Sequence, residues 1–180
     1  MSLPDKLALA WRAATEAHHG QRFPGTDLPY LLHLSQVQSE VVACLQIEPA
    51  MDAELSLVCA VLHDIVEDTD VTAAQVEAEF GAEVARGVAA LSKDKSLPKS
   101  AAMADSLARI KACPPAVWKV KLADRVSNLQ EPPVFWSREK CMAYRDEAKL
   151  ILDALGEASP ALAERLAARI DAYEAKLPAQ

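Results

Sequence analysis

One stretch of the chain, residues 55–66, reads LSLVCAVLHDIV, and its only polar side chains are Ser56, His63 and Asp64. An apolar run of this length without glycine or proline predicts a helix, which the flanking residues extend to about 51–66. A helix that is apolar on nearly every side lies buried at the centre of a domain. The rest of the chain must therefore supply elements that surround it.

Composition identifies those elements as helices. Alanine supplies 34 of the 180 residues and leucine 22, whereas glycine supplies only 5. Alanine and leucine are strong helix formers, and no run alternates apolar and polar residues with the β-branched enrichment typical of strands. A chain of this length builds one domain with a substantial core. We predict an all-α fold, a single compact bundle of about eight to ten helices over residues 1–180.

Proline, glycine and polar clusters mark the ends of the predicted helices. A loop at 20–29 contains two glycines and two prolines, and a lysine-bearing loop follows at 93–98. The last helix, within residues 156–180, is amphipathic and is expected to pack against the others. The predicted helices cover about 4–19, 30–47, 51–66, 71–80, 81–92, 99–112, 114–129, 137–155 and 159–177.

The overall charge limits the classes of partner. With 19 Lys+Arg against 26 Asp+Glu, the net charge of −7 disfavours nucleic acid and anionic membrane surfaces. No run of 18 apolar residues predicts a membrane span, and the first residues lack the pattern of a signal peptide. The four cysteines form no CxxC pair and are expected to be buried free thiols, as in a reducing cytoplasm. Nothing in the sequence indicates an oligomeric state.

Four ionisable groups, His63, Asp64, Glu67 and Asp68, stand within six residues at the end of the central helix. Buried charges are costly unless they are compensated, and a divalent cation compensates several at once. In a continuous helix, His63 with Glu67 and Asp64 with Asp68 are i,i+4 pairs that form two adjacent rows. The alternative is a hydrogen-bonded core histidine followed by acids that face solvent.

Two further ligand-type side chains lie on apolar helix faces. His33 shares a face with Val37 and Val41, and Asp124 shares one with Val120. Alone, a histidine such as His33 is more often a hydrogen-bonded core residue than a ligand, and the carboxylate of Asp124 calls for a cation, either an arginine or a metal. Together with the end of the central helix, they place ligand-type groups from three buried helix faces toward one centre.

These residues resemble the H…HD…D signature of the HD superfamily of metal-dependent phosphohydrolases. More narrowly, the chain resembles the hydrolase domain of the RelA/SpoT family and the small stand-alone alarmone hydrolases of the Mesh1 type, over about residues 5–155. The resemblance is carried by AHHGQ (17–21), PYLLHLSQV (29–37), VLHDIVEDTD (61–70), EFGAEVARGVAALSKDKSLPK (79–99) and KLADRVSNL (121–129).

The resemblance implies an enzyme that removes the 3′-pyrophosphate of (p)ppGpp to give GDP or GTP and pyrophosphate. Glu67 and Asp68 match the acidic pair that positions or activates the attacking water. One divalent metal, manganese in most family members, is implied as the cofactor. The implied metal ligands are His33, His63, Asp64 and Asp124, and Asn128 matches a residue near the ribose and phosphate. Arg22, Tyr30 and Lys95 are further candidate substrate contacts.

Departures from the family pattern leave the nucleotide open. Residues 21–30 read QRFPGTDLPY where many members carry an Arg-Lys loop, and Glu131 replaces a threonine. The alternatives are a phosphatase of another nucleotide, such as NADPH or a nucleoside monophosphate, and a metal-containing alarmone-binding module without turnover. The Glu67–Asp68 pair favours turnover. Residues 86–125 carry nine Lys+Arg against three Asp+Glu, a local charge of +6 that suits a small polyanionic substrate.

Overall fold

A computed structural model describes residues 1–48, 52–133 and 135–177, and over these ranges it contains helices and no strand. The all-α prediction is confirmed. An isolated bridge between Arg22 and Pro29 closes the loop after the first helix. The helices are α1 (Leu3–Ala17), α2 (Leu31–Ile47), α3 (Ala53–Leu62), α4 (Ile65–Asp68), α5 (Ala73–Phe80), α6 (Ala82–Leu91), α7 (Lys99–Lys111), α8 (Pro115–Asn128), α9 (Arg138–Leu155) and α10 (Pro160–Glu174), with a 3₁₀ turn (Gly156–Ala158) before α10.

Helix α3 lies at the centre of the molecule, as its composition predicts. Every residue from Leu55 to Leu62 is buried, and the helix packs against α1, α2, α6 and α8. The side chain of Asp52 accepts a hydrogen bond from the Leu55 amide and begins the helix. Helices α2 and α8 also pack against each other, so the three helices that carry the predicted ligands are mutual neighbours.

Close packing around α3 depends on Gly87 in α6. A Cβ atom at this position would lie 3.0 Å from Cys59 Sγ and 3.0 Å from Val117 Cγ2, and both of those side chains are fully buried. The glycine therefore lets the α6 backbone approach α3 and α8 closely.

The prediction of one continuous helix over 51–66 is wrong at its carboxyl end. Helix α3 ends at Leu62, and the short α4 begins at Ile65 after a turn with Asp64 at φ −100° and ψ −2°. Nδ1 of His63 lies 2.9 Å from the carbonyl oxygen of Ala60, which the backbone of the next turn would otherwise use. We attribute the end of α3 to this bond. Met51 lies outside the described residues.

The last two long helices cover one side of the bundle. Helices α9 and α10 pack against each other and against α8, and their inward faces are apolar. The other helix ends lie within three residues of the predicted ones, and several coincide with them, as is usual for helix boundaries. All four cysteines are buried and free, as predicted. None of the helices in the described ranges is long and apolar enough to cross a bilayer.

Candidate metal and hydrolase site

The structure brings the four predicted metal ligands together. Nε2 of His33 lies 3.2 Å from Nε2 of His63 and 3.4 Å from both Oδ2 of Asp64 and Oδ1 of Asp124. Nε2 of His63 lies 2.8 Å from Asp64 Oδ2 and 3.8 Å from Asp124 Oδ1. The ligand atoms of His33, His63 and Asp64 all fall within 4.8 Å of one another. Two imidazoles and two carboxylates therefore surround one buried point.

Hydrogen bonds on the outer side of each imidazole turn its Nε2 toward this point. His63 Nδ1 lies 2.9 Å from the Ala60 carbonyl, which can only accept, so Nδ1 carries a proton. His33 Nδ1 lies 3.4 Å from Ser127 Oγ, which itself donates to Gln36. Two Nε2 atoms that face each other beside carboxylates favour a positive charge at this point, either a bound cation or a proton on an imidazole. The donor set thus fits a divalent cation, because partners on the second nitrogen orient metal-binding histidines in the same way.

The electrostatics of the cluster lead to the same conclusion. Burial alone would lower the pKa of His33, but hydrogen bonds with Asp124 and Asp64 outweigh burial and raise it to about 9. The same carboxylates raise the pKa of His63 against burial. Burial also opposes the ionisation of Asp64 and Asp124, yet neighbouring cationic groups hold both pKa values well below the usual range. The cluster therefore stabilises positive charge at its centre.

Three donors hold the two carboxylates from outside the cluster. The Tyr30 hydroxyl donates to Asp64 Oδ2 at 2.6 Å, and burial beside that carboxylate raises the pKa of Tyr30, so the hydroxyl keeps its proton. Lys121 Nζ donates to Asp124 Oδ2 at 2.9 Å, and Asn128 donates to Asp124 Oδ1 at 2.5 Å. Sequence reasoning missed Lys121. Its position three residues before Asp124 was the available signal, since i,i+3 side chains are neighbours on a helix.

The acidic pair is anchored differently from the predicted arrangement. Because α3 ends before it, Glu67 accepts a hydrogen bond from the Lys93 main-chain amide at 2.7 Å, and its carbonyl accepts one from Lys95. Burial raises the pKa of Glu67, although the bond from Lys93 opposes this shift. Asp68 is exposed and lies 3.4 Å from Nε2 of Gln21. Gln21 and Asp68 thus join the AHHGQ segment to the acidic pair.

The structure gives each predicted substrate-binding residue a protein partner. Arg22 donates to the carbonyl of Asp27 at 2.8 Å and closes the loop, while Lys95 binds the Glu67 carbonyl. Tyr30 and Asn128 bind the candidate metal ligands. Asn128 also lines the cavity described next, so it alone of the four borders both the cluster and that cavity.

A cavity of about 450 Å³ lies between the loop after α1 and the segment that joins α8 to α9. Its volume falls in the range of small-molecule sites. Sequence reasoning missed its aromatic wall, because the five rings come from distant parts of the chain. Glu131, at its edge, pairs with Lys176 at 2.8 Å. The aromatic lining residues are Phe23, Phe135, Trp136, Tyr144 and Tyr173.

Most cations of the basic 86–125 segment have partners within the protein. Lys119 pairs with Glu48 at 2.9 Å, far along the chain, and Arg109 pairs with Asp105 at 2.8 Å. Lys121 binds Asp124, and Arg125 binds Glu147. Asp105 and Asp124 belong to the segment and are already counted in its charge of +6, so only Glu48 and Glu147 offset that excess, by two charges.

Comparison with known proteins agrees with this geometry. The chain is 33% identical to a zebrafish protein, guanosine-3′,5′-bis(diphosphate) 3′-pyrophosphohydrolase MESH1, over 158 residues that cover 85% of this chain and 86% of the relative. The human MESH1 is 32% identical over 158 residues, which again cover 85% of this chain and 86% of the relative. A solved structure described as a metazoan ortholog of SpoT that hydrolyzes ppGpp superposes with a TM-score of 0.79 at 29% identity, covering 93% of this chain and 94% of that one.

The profile of a domain family matches most of the chain. It is described as the HD domain, and it covers residues 10–157, which include all four histidine and aspartate side chains of the cluster. Divalent metal binding is implied by this family. The chain belongs to the HD domain family.

Proposed function

We propose that this protein is a metal-dependent hydrolase that removes the 3′-pyrophosphate of (p)ppGpp, giving GDP or GTP and pyrophosphate. The observation that carries the proposal is the cluster of His33, His63 and Asp64, with Asp124 Oδ1 within 3.8 Å of both imidazoles, beside a partly buried Glu67. Similar proteins from zebrafish and human bear the name of this activity and align with most of this chain. The substrate class is a small nucleotide.

His33, His63, Asp64 and Asp124 would hold one divalent ion, and we propose manganese. Imidazole with carboxylate and no thiolate suits Mn²⁺ among the available divalent metals. Such an ion supplies polarisation of a phosphoryl oxygen and activation of a water. Tyr30, Lys121 and Asn128 keep the two carboxylates oriented toward the centre.

Glu67 is the proposed proton acceptor of the reaction. Its side chain is partly buried, and the raised pKa makes it a better base than an exposed carboxylate. The Lys93 amide holds one carboxylate oxygen, Oε2, and leaves Oε1 to orient the attacking water. Asp68, exposed one residue further along, is proposed to assist in positioning that water.

The aromatic cavity is the proposed site of the nucleoside. Its walls offer flat rings against which a base can stack, and Asn128 borders both this cavity and the cluster. A nucleotide that fills it would direct its phosphates toward the cluster. We also propose a cytoplasmic location, because the four cysteines are buried free thiols.

Product analysis tests the proposal. The purified protein with Mn²⁺ is incubated separately with ppGpp, pppGpp, NADPH and nucleoside monophosphates, and the products are separated by anion exchange. We expect GDP and pyrophosphate from ppGpp. The variant Glu67→Gln should retain bound metal and lose about 10²- to 10⁴-fold in turnover. Release of inorganic phosphate from NADPH, with none of the pyrophosphate expected from ppGpp, would contradict the proposal in favour of the alternative phosphatase.

A further inference from the structure

We infer that Glu147 of α9 is a positioning residue for Glu67, acting through the side chain and the main-chain amide of Lys93. The inference rests on the proposed function, because it explains how the proposed base is held. It concerns three residues, Arg125, Glu147 and Lys93, which we call the Glu147 clamp.

The Glu147 carboxylate joins two elements that are far apart in the chain. Its Oε1 accepts from the Arg125 guanidinium in α8 and from Lys93 Nζ at 3.3 Å. Arg125 is 3% exposed, and its guanidinium lies over the ring of Tyr144, 4.3 Å from the ring centroid. A carboxylate paired with a desolvated arginine is held far more firmly than one in a surface pair. Glu147 is thus a fixed point to which Lys93 is attached.

The segment that follows α6 holds Glu67 from two directions. The Lys93 amide donates to Glu67 Oε2 at 2.7 Å, and the Lys95 ammonium donates to the Glu67 carbonyl. This segment has no regular structure between Ser92 and Pro98, so its position depends on its side-chain contacts. The bond from Arg109 to the Ser92 carbonyl, 2.8 Å long, fixes its start, and the bond from Lys93 to Glu147 fixes the next residue.

The clamp also relates the proposed base to the metal ligands. Arg125 follows Asp124 directly in α8, so the helix that presents Asp124 carries the cation that anchors Glu147. From there the connection runs through Lys93 to the carboxylate of Glu67. Displacement of a reacting group by about 1 Å lowers rates by about 10²-fold. A connection that sets Glu67 relative to α8 therefore acts on turnover more than on binding of the metal or of the nucleotide.

Four variants test the clamp by steady-state kinetics with ppGpp and Mn²⁺. Glu147→Gln and Lys93→Ala each release the segment, and we expect kcat to fall about tenfold while KM and the Kd for Mn²⁺ change by less than about twofold. Lys93→Arg keeps a cation for Glu147 and should restore most of kcat. Asp146→Asn is the matched control, since it removes the neighbouring carboxylate, which is half exposed and binds Arg145.

Amide hydrogen exchange at Lys93 provides a readout that does not depend on activity. The main-chain amide of residue 93 should exchange faster in Glu147→Gln and in Lys93→Ala than in the wild type. In Asp146→Asn it should exchange at the wild-type rate. Lys93 is one-third exposed, so Lys93→Ala should fold even if loss of the Arg125 partner destabilises Glu147→Gln. Unchanged kcat and exchange in Lys93→Ala would overturn the clamp. If the wild type releases no pyrophosphate from ppGpp, the proposed function fails, and exchange alone then decides whether the clamp exists.

Discussion

Replacing Tyr30 by phenylalanine removes one hydroxyl that donates to the candidate metal ligand Asp64 at 2.6 Å. The ring should stay in place, because it packs against His18 and His33 with centroid distances of 5.1 and 5.3 Å. A hydrogen bond to a charged group contributes about 1.5–3 kcal/mol. Since Asp64 Oδ2 keeps its contact with His63 at 2.8 Å, we expect the lower value, about 1.5 kcal/mol.

That loss corresponds to an approximately tenfold higher Kd for the metal. It agrees with the lower end of the effects, about 10- to 100-fold, found when partners of metal ligands are removed. The metal Kd is measured by titrating metal-free protein with Mn²⁺ in an isothermal titration calorimeter. In a second assay, kcat and KM for ppGpp are measured at saturating Mn²⁺. We expect kcat and KM to approach wild-type values once the metal site is filled.

The control for this variant is Tyr144→Phe. It removes the hydroxyl of a cavity tyrosine whose ring packs against Arg125 and Trp136, and it should leave the metal Kd unchanged. A Tyr30→Phe variant with wild-type metal affinity and a raised KM would exclude this role of the hydroxyl. It would make Tyr30 a substrate contact, the candidate role given to it by the sequence.

Two further predictions concern stability. In Gly87→Ala the gain in helix propensity is about 1 kcal/mol, but contacts at 3.0 Å with Cys59 and Val117 add about 1–3 kcal/mol of strain. Urea unfolding should therefore show a lower free energy of unfolding for the variant. A variant more stable than the wild type would contradict the close packing. Glu48 accepts bonds from Lys119, Ser159 and the Ala161 amide, which outweigh burial and lower its pKa. A lowered folded pKa gives stability that is present above the reference value of 4.5 and lost as the pH falls through the folded value. Unfolding measured from pH 7 to pH 3 should therefore show a smaller acid loss in Glu48→Gln than in the wild type, and equal losses would exclude this role.

The burial of α3 and the convergence of the four candidate metal ligands could be predicted from the sequence for physical reasons. A helix with apolar side chains all round has no favourable place except the interior, and His33 and Asp124 stand on apolar faces of helices that must cover it. Because two of these side chains are imidazoles and two are carboxylates, their meeting in the interior favours a bound cation at the centre.

The anchoring of Glu67 could not be predicted, because it depends on a bond that competes with the helix. Once His63 binds the Ala60 carbonyl, α3 ends, and Glu67 meets the Lys93 amide from another part of the chain. The spacing of Lys121 and Asp124 is visible in the sequence, but a lysine is ordinarily a surface residue, and only tertiary packing buries this one beside Asp124. The aromatic cavity likewise joins residues more than 100 positions apart.

Pyrophosphate release from ppGpp, followed as Mn²⁺ is added back to metal-stripped protein, tests directly whether this cluster is a metal site. We expect no release from the stripped protein and a rise that saturates at one ion per chain, because His33, His63, Asp64 and Asp124 surround a single point. Asp64→Ala should show no rise at the same concentrations. Full pyrophosphate release by stripped protein, or by Asp64→Ala, would show that hydrolysis does not depend on a metal held by this cluster.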